Sequence, residues 1–511
     1  MLRKFWRAAD TTAHPSGLPE QPTDTHLAGI KSRLDLKRLF FIFLGLSLFC
    51  IVYFSPIFPD AVDPNGERFI LTHEGKAALG LFLLAATWWV FEVIPIGVTS
   101  IVIGVVQALF LIRTAKEAFK DFMDPSVWFI IGSVVIGMAF TRSGLTKRMA
   151  YRMLLVVGER TSMIYLGVFV MTAALTIIMA HTAVAAAVYP LLMAIYALYD
   201  EDNKPTKFGK GLFMGMAFVA GAGSIITLLG AARGAVALGF YTQIVKAEIT
   251  FFEFTYYMLP IGVLMVFILW VFFMVFLKPE QKTIPGLRER AKILNKRLGK
   301  IGKTEITTLV IVGLTILTIS VRKLIPGLEL VDKSAIILVS TILFFMFKIL
   351  TIKDLEEIPW NIVLLFGGAM SIGFCLWETG AAEWMAIHWL ALLQDFGPFM
   401  FVLGIAFFVL IMTNLIMNVA AIAITMPVAF TIAPYLGVAP EVVLFACLVT
   451  AGMPFLLLVG AAPNAIAYES KQFTSGEFFK YGIPASVILM VVTAFFIYFV
   501  WPLMGMPTSI S

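Results

Sequence analysis

Residues 229–238 read LGAARGAVAL, and Arg233 is the only charge in a long apolar run. An ionisable side chain in such a place is a functional candidate by default, because holding it there is expensive. What a guanidinium brings is a fixed positive charge. The structural alternative is that Arg233 snorkels to an interface or pairs with a carboxylate. Residues 459–468, VGAAPNAIAY, repeat the pattern with Pro463 where the arginine stood. Two further apolar regions are interrupted by polar residues: 163–199 by His181-Thr182, and 398–436 by Thr413-Asn414 and Asn418. His181 either packs as a satisfied core histidine or titrates near neutral pH and makes function pH-dependent. Thr182 and Asn418 suit the caps of half-helices. Glu92, in WWVFEVIP just before Pro95, reads as a structural residue at a helix end. An enzyme would need a catalytic set, and His181 has no spaced His, Cys or carboxylate partner on its own segment. Cys50, Cys375 and Cys447 are isolated, without metal or disulfide spacing.

The elements that must position these residues are membrane helices. The chain has 511 residues, 60% of them hydrophobic and 14% charged, where soluble domains carry about 25% charge. Several apolar runs of roughly 17–22 residues are long enough to cross a hydrocarbon core of about 30 Å. In lipid such runs must be helices, because every backbone group needs an internal partner. Spans are expected near 39–58, 76–94, 97–112, 126–142, 211–229, 257–277, 305–321, 334–350, 360–377, 440–458 and 482–503. The regions 163–199 and 398–436 are too long for one crossing and are broken near the middle, so each reads as a re-entrant hairpin. The expected architecture is an all-α polytopic membrane protein with about 11 transmembrane helices and two re-entrant hairpins. A net charge of +6 does not signal nucleic acid, because the basic residues sit in alternating loops, as orientation requires. The 278–304 loop carries nine Lys/Arg against Glu280 and Glu289, which makes it cytoplasmic. With hairpins counted as no crossing, the N-terminus is cytoplasmic and the C-terminus outside.

The chain also repeats itself. FTRSGLTKRMA at 140–150 aligns with LWETGAAEWMA at 376–386, and Gly144 and Gly380 are 236 residues apart. His181 and Asn418 are 237 apart, and Gly230 and Gly460 are 230 apart. The expected division is a tail over 1–38, a first helix and outer loop over 39–74, repeat 1 over 75–277, a basic linker over 278–304, repeat 2 over 305–503 and an outer tail over 504–511. Each repeat holds an odd number of spans, so the two are inverted in the membrane. Inverted repeats with broken helices in matching positions are the sequence signature of a secondary transporter with its site at the repeat interface.

Order, spacing and duplication of these motifs resemble the divalent anion:sodium symporter family. WWVFEVIPIGVTS at 88–100, DPSVWFIIG at 124–132, PWNIVLLFGG at 359–368 and GAAPNAIAY at 460–468 support the likeness, which covers about residues 75 to 503. That family carries Ser-Asn-Thr at each hairpin tip and a Gly-(Ser/Thr)-Pro-Pro-Asn break in each partner helix. Here the tips read Ala180-His181-Thr182 and Met417-Asn418-Val419, and Arg233-Gly234 stands where the second break has Pro463-Asn464. The resemblance implies one sodium ion at each tip and break, an anion between them, a homodimer and an elevator motion.

Carried onto this chain, Thr413, Asn418 and the Gly460 carbonyl retain one sodium site. The other, at Thr176, Ala180, His181 and Gly230, is expected to be lost, because Ala180 has no side-chain oxygen and Arg233 repels a nearby cation. Arg233 then supplies the missing charge. The anion is expected among His181, Thr182, Arg233, Asn418, Val419, Ala462 and Pro463. The implied substrates are small organic anions, di- or tricarboxylates or sulfonates, and the implied place is a bacterial inner membrane. Two couplings stay open: symport with one sodium, and sodium-independent exchange around a fixed Arg233, with proton-linked transport through His181 as a variant. A channel would need a continuous polar path, and few intramembrane polar residues are present.

Overall fold

The computed structural model describes residues 36–55, 58–62, 68–91, 93–200, 204–393 and 397–509. Residues 1–35 and Glu92 lie outside these ranges. The first helix, Leu36–Phe54, starts three residues before the expected span. Among the described residues the fold is helical apart from a two-residue antiparallel pair, Ala61–Val62 with Arg68–Phe69, and two isolated bridges. Among the described residues, eight helices are long and apolar enough to cross a membrane, and five shorter apolar ones accompany them. Two of the expected spans are divided. One runs Lys207–Ser224 and resumes as Ala232–Ile244. The other runs Pro440–Ala451 and resumes as Ala462–Tyr468. The unwound stretches therefore begin well before the glycine motifs that mark them in the sequence.

Each apolar region with a polar interruption folds as two helices. The first pair is Thr161–Thr176 and His181–Tyr199, and the second is Pro398–Leu415 and Asn418–Tyr435. Both second arms start on apolar caps, Ala180 and Met417, with no side-chain capping bond, so Thr182 and Asn418 do not cap the half-helices as the sequence suggested. Short helices precede both hairpins: the amphipathic Leu145–Val157 and the mostly apolar Ala381–Leu393. A third, the amphipathic Leu287–Leu298, lies within the basic linker. None of the three was expected from the sequence; charge made Leu145–Val157 and Leu287–Leu298 look like loops.

Local devices recur at matching offsets in the two halves. Leu111 and Lys348, both at positive φ (53° and 55°), end corresponding helices. Thr114 and Thr351 each open a short helix and donate a backbone N–H to the carboxylate three residues on, at 3.0 and 2.7 Å. Gly144 and Gly380 precede the short helices before the hairpins at φ 88° and 73°, a conformation that Cβ-bearing residues avoid.

Ion pairs clasp the halves together at both ends of the long helices Pro125–Arg142 and Trp360–Glu378. Arg142 meets Asp354 at 2.5 Å and Glu357 at 2.7 Å. At the equivalent place in the other half Glu378 meets Arg113 at 2.7 Å, and Arg113 also holds Asp121 at 2.6 Å. The helix carries the cation in one clasp and the anion in the other. Their energies should differ. Arg113 is buried with 6% of its side chain exposed, whereas Arg142 leaves 48% exposed. Arg113→Gln is expected to cost about 3–5 kcal/mol, because it strands a buried carboxylate. Arg142→Gln should cost less, because the buried Asp354 keeps the Thr351 N–H at 2.7 Å and the Thr351 hydroxyl at 2.8 Å as donors. Thermal melts of the two variants check the order, and equal losses would refute it.

Beyond the long helices, Glu280 of the linker ties the base of the first hairpin to the first broken helix. Its carboxylate accepts from Lys207 N at 2.6 Å, Phe208 N at 3.2 Å and the Tyr199 hydroxyl at 2.9 Å. Burial opposes its ionisation, but these donors outweigh it and hold the carboxyl below the ordinary glutamate range.

Candidate functional site

The site is built from two hairpin tips and two helix breaks. Lys207–Ser224 packs along the first arm of the first hairpin, and Pro440–Ala451 along the first arm of the second. The second halves cross over. Ala232–Ile244 packs on Asn418–Tyr435, while Ala462–Tyr468 packs on His181–Tyr199. Sequence-distant motifs are thereby interlocked around one centre.

At the first break the Gly230 carbonyl accepts the backbone N–H of His181 at 2.9 Å. The His181 ring Nδ1 also lies 3.2 Å from the same oxygen. A carbonyl only accepts, so this contact is a hydrogen bond when Nδ1 carries the proton. Two donors then occupy both lone pairs of the Gly230 oxygen. Thr227 Oγ1 donates to the Ile177 carbonyl at 2.6 Å and Thr176 Oγ1 to the Ala173 carbonyl at 2.7 Å. Ala180 caps the second arm without a side-chain bond. A Cβ on Gly230 would lie 2.6 Å from the carbonyl oxygens of Ser224 and Thr176. Gly230→Ala must therefore move backbone, at about 1–3 kcal/mol, and is expected to lower the melting temperature and loosen the tip. An unchanged melt would show that the tip has room to spare.

The second break is satisfied differently. Asn414 Oδ1 accepts from Leu456 N at 2.8 Å and Leu457 N at 3.2 Å. Asn464 Nδ2 donates to the carbonyls of Pro454 at 2.9 Å and Leu457 at 3.2 Å. Thr413 is fully buried and its hydroxyl donates to the Ala451 carbonyl at 3.1 Å. Gly460 packs against Thr413, whose carbonyl oxygen would lie 2.9 Å from an added Cβ. Among the described residues, no hydrogen bond reaches the Gly460 carbonyl, and none reaches the side chain of Asn418, which is 6% exposed. The two breaks share a backbone plan and differ in whether a donor already fills the glycine carbonyl.

Arg233 opens the second half of the first broken helix and is 2% exposed. Its Nη2 donates to Ser224 Oγ at 2.8 Å, and Nη1 is buried with no hydrogen-bond partner among the described residues. A Cβ on Gly452 would lie 2.8 Å from Nη2. The guanidinium thus lies between the last residue of Lys207–Ser224 and the residue that follows Pro440–Ala451. Both are helix C-terminal ends, which carry partial negative charge. Among the described residues it pairs with no carboxylate, and its side chain is buried within the protein. Ser224 and Thr227 escaped the sequence reading, although a Ser and a Thr just ahead of the glycine in an apolar run were the available signal.

The remaining expected residues fall around this centre. Val419 and Pro463 are buried, and Thr182 and Ala462 half-buried. Thr182 makes no side-chain hydrogen bond among the described residues. Cavities of about 590 Å³ and 520 Å³ lie elsewhere, one against the Pro398–Leu415 helix and one beside Arg113 and Glu378.

The chain is similar to several known transport proteins. Sodium-dependent dicarboxylate transporter SdcS of Staphylococcus saprophyticus is 25% identical over 456 residues, covering 84% of this chain and 87% of the relative. The SdcS of Staphylococcus aureus strain USA300 is 26% identical over 454 residues, covering 85% and 87%. In fold, the chain is similar to MtrF of Neisseria gonorrhoeae, described with a class of antimetabolite efflux pumps, at a TM-score of 0.56 and 14% identity over 90% of this chain and 93% of that one. It is also similar to the YdaH transporter of Alcanivorax borkumensis, at 0.50 and 13% over 93% and 99%. The family described as the sodium:sulfate symporter transmembrane region matches residues 39–507, and the chain belongs to that family of membrane transport proteins.

Proposed function

We propose that the protein is a secondary active transporter of small organic anions, dicarboxylates in the first place, coupled to one sodium ion at the second break. The observation that carries the coupling is the contrast between the two glycine carbonyls. Gly230 O is filled by His181, while Gly460 O accepts no hydrogen bond among the described residues, and Gly460 packs on the backbone of the buried Thr413. An unwound carbonyl with a nearby hydroxyl offers the hard oxygens that a sodium ion takes at a broken helix. Arg233 stands in for the other cation as a tethered charge. The anion then lies between the tips, with Thr182 and Asn418 as donors, His181 holding the first tip through its bonds to Gly230 O, and Val419, Ala462 and Pro463 as apolar walls. Names of the relatives, sodium-dependent dicarboxylate transporters, support both halves of this reading.

A second reading is sodium-independent exchange, and Arg233 favours it. An unpaired charge held inside the membrane is costly to move, so the loaded carrier would cross more readily than the empty one. In either case the hairpins and broken helices move as a body past the clasped long helices. The protein works as a homodimer in a bacterial inner membrane with its basic linker cytoplasmic.

The deciding experiment is a thermal melt of the purified protein against small dicarboxylates, in sodium and in choline. A ligand that binds only the native state raises the melting temperature. Stabilisation that needs sodium supports symport. Equal stabilisation in choline supports exchange. No stabilisation by any carboxylate would remove the substrate class.

A further inference from the structure

The basic linker is an ordered helix docked along the first amphipathic helix. Arg148 of Leu145–Val157 is the anchor at one end. Its guanidinium grips Glu305 at 2.7 and 2.8 Å and donates to the carbonyls of Gly299 at 2.9 Å and Lys300 at 3.2 Å. Glu159 is the anchor at the other end, accepting from Gly286 N at 2.9 Å and Arg288 N at 3.3 Å. Backbone bonds from Ile284 N to Glu159 O and from Thr161 N to Lys282 O, at 2.8 and 3.0 Å, complete the seam. Gly144, Gly158, Gly286 and Gly299, all at positive φ, bound the two helices. The pair therefore forms one bar across the ends of the membrane helices.

Its outer face is basic with apolar residues set among the charges. On Leu287–Leu298 the buried stripe is Leu287 and Ala291. Ile293 lies opposite, 46% exposed, on an outer face that carries the exposed Lys292 and Lys296 and one acidic residue, Glu289. On the other helix Val156 is 86% exposed, one turn from the exposed Arg152. Arg160, Lys282 and Lys300 are exposed nearby. Orientation rules explain which side of the membrane these charges occupy. They do not explain an ordered bar with valine and isoleucine turned outward among lysines. A helix with cations around an exposed apolar centre is the form that lies in a membrane interface and holds anionic lipid.

We propose that this two-helix bar docks on the anionic phospholipid headgroups of the leaflet it lies against, through Arg152, Lys292 and Lys296, with Val156 and Ile293 set into the acyl boundary. The inference needs only the membrane embedding, not the anion or its coupling. To test it, the full-length protein in detergent is mixed with equal phosphatidylcholine and phosphatidylglycerol and repurified, and the retained lipid is counted by mass spectrometry. The native chain should retain phosphatidylglycerol in preference. Lys292→Gln with Lys296→Gln should weaken that preference about tenfold or more at low salt. Lys292→Arg with Lys296→Arg should keep it. High salt should erase it in the unaltered protein, which reads the same interaction without mutation. Excess soluble glycerol phosphate should leave the bound lipid in place. Equal retention of the two lipids, an unchanged preference in the glutamine variant, or displacement by glycerol phosphate would each overturn the docking.

Discussion

Arg233→Met is expected to raise the melting temperature of the substrate-free protein and to abolish anion transport. The two effects come from one cause. Arg233 is 2% exposed, has one hydrogen bond to Ser224 and leaves Nη1 without a partner among the described residues. Two helix C-termini repay part of the cost of burying a cation, at about 0.3–2 kcal/mol each. The desolvation penalty is several kcal/mol. Methionine fills similar volume without that penalty, and replacing buried charge by apolar side chains of like size has stabilised proteins by about 1–4 kcal/mol. A residue held at a net cost to stability marks function. Removing the charge should cost anion affinity about 2–5 kcal/mol, visible as a lost thermal shift with dicarboxylates and as absent uptake in vesicles. If the melt instead falls by several degrees, Arg233 is a strut between the two broken helices. Uptake at native rates would remove it from the site altogether.

Much of this centre was legible in the sequence because membrane helices advertise their interruptions. Apolar runs were easy to read, so His181-Thr182, Thr413-Asn414 and Gly230 to Arg233 stood out, and the structure brings the tips and breaks into contact. What the residues bind to was not legible. Nothing in the order of residues says that His181 would turn back on the Gly230 carbonyl, or that Thr227 would supply the tie that Asn414 supplies in the other half. The clasps were hidden for another reason. Arg142 and Glu378 fall opposite each other in the aligned stretches, where opposite charges read as a mismatch. The structure shows that each found its complement on the facing turn. The linker helix was missed although Leu287, Ala291, Leu294 and Leu298 recur at helical spacing, because the lysines and arginines between them made the stretch read as an orientation-setting loop.

Thr413→Val should shift the response to sodium to much higher concentration, whereas Thr176→Val should leave it intact. The two threonines are equivalent in the repeats, fully buried and isosteric with valine, so packing losses should match and only the chemistry differs. Thr413 packs on Gly460, whose carbonyl accepts no hydrogen bond among the described residues, and its hydroxyl keeps a lone pair after donating to Ala451. Thr176 lies beside a carbonyl filled by His181, and its own hydroxyl is turned to Ala173. A sodium ion at the second break would lose one of few oxygen ligands in Thr413→Val, a loss of about tenfold or more in apparent affinity at roughly 1.4 kcal/mol per decade. Titrating sodium against the melting temperature at fixed dicarboxylate reads both variants. Native protein should saturate with a single-site curve. A sodium response in Thr413→Val equal to the native one would place the ion elsewhere. A loss in Thr176→Val as large as in Thr413→Val would mean that the first break still binds sodium, and that Arg233 accompanies the ion instead of replacing it.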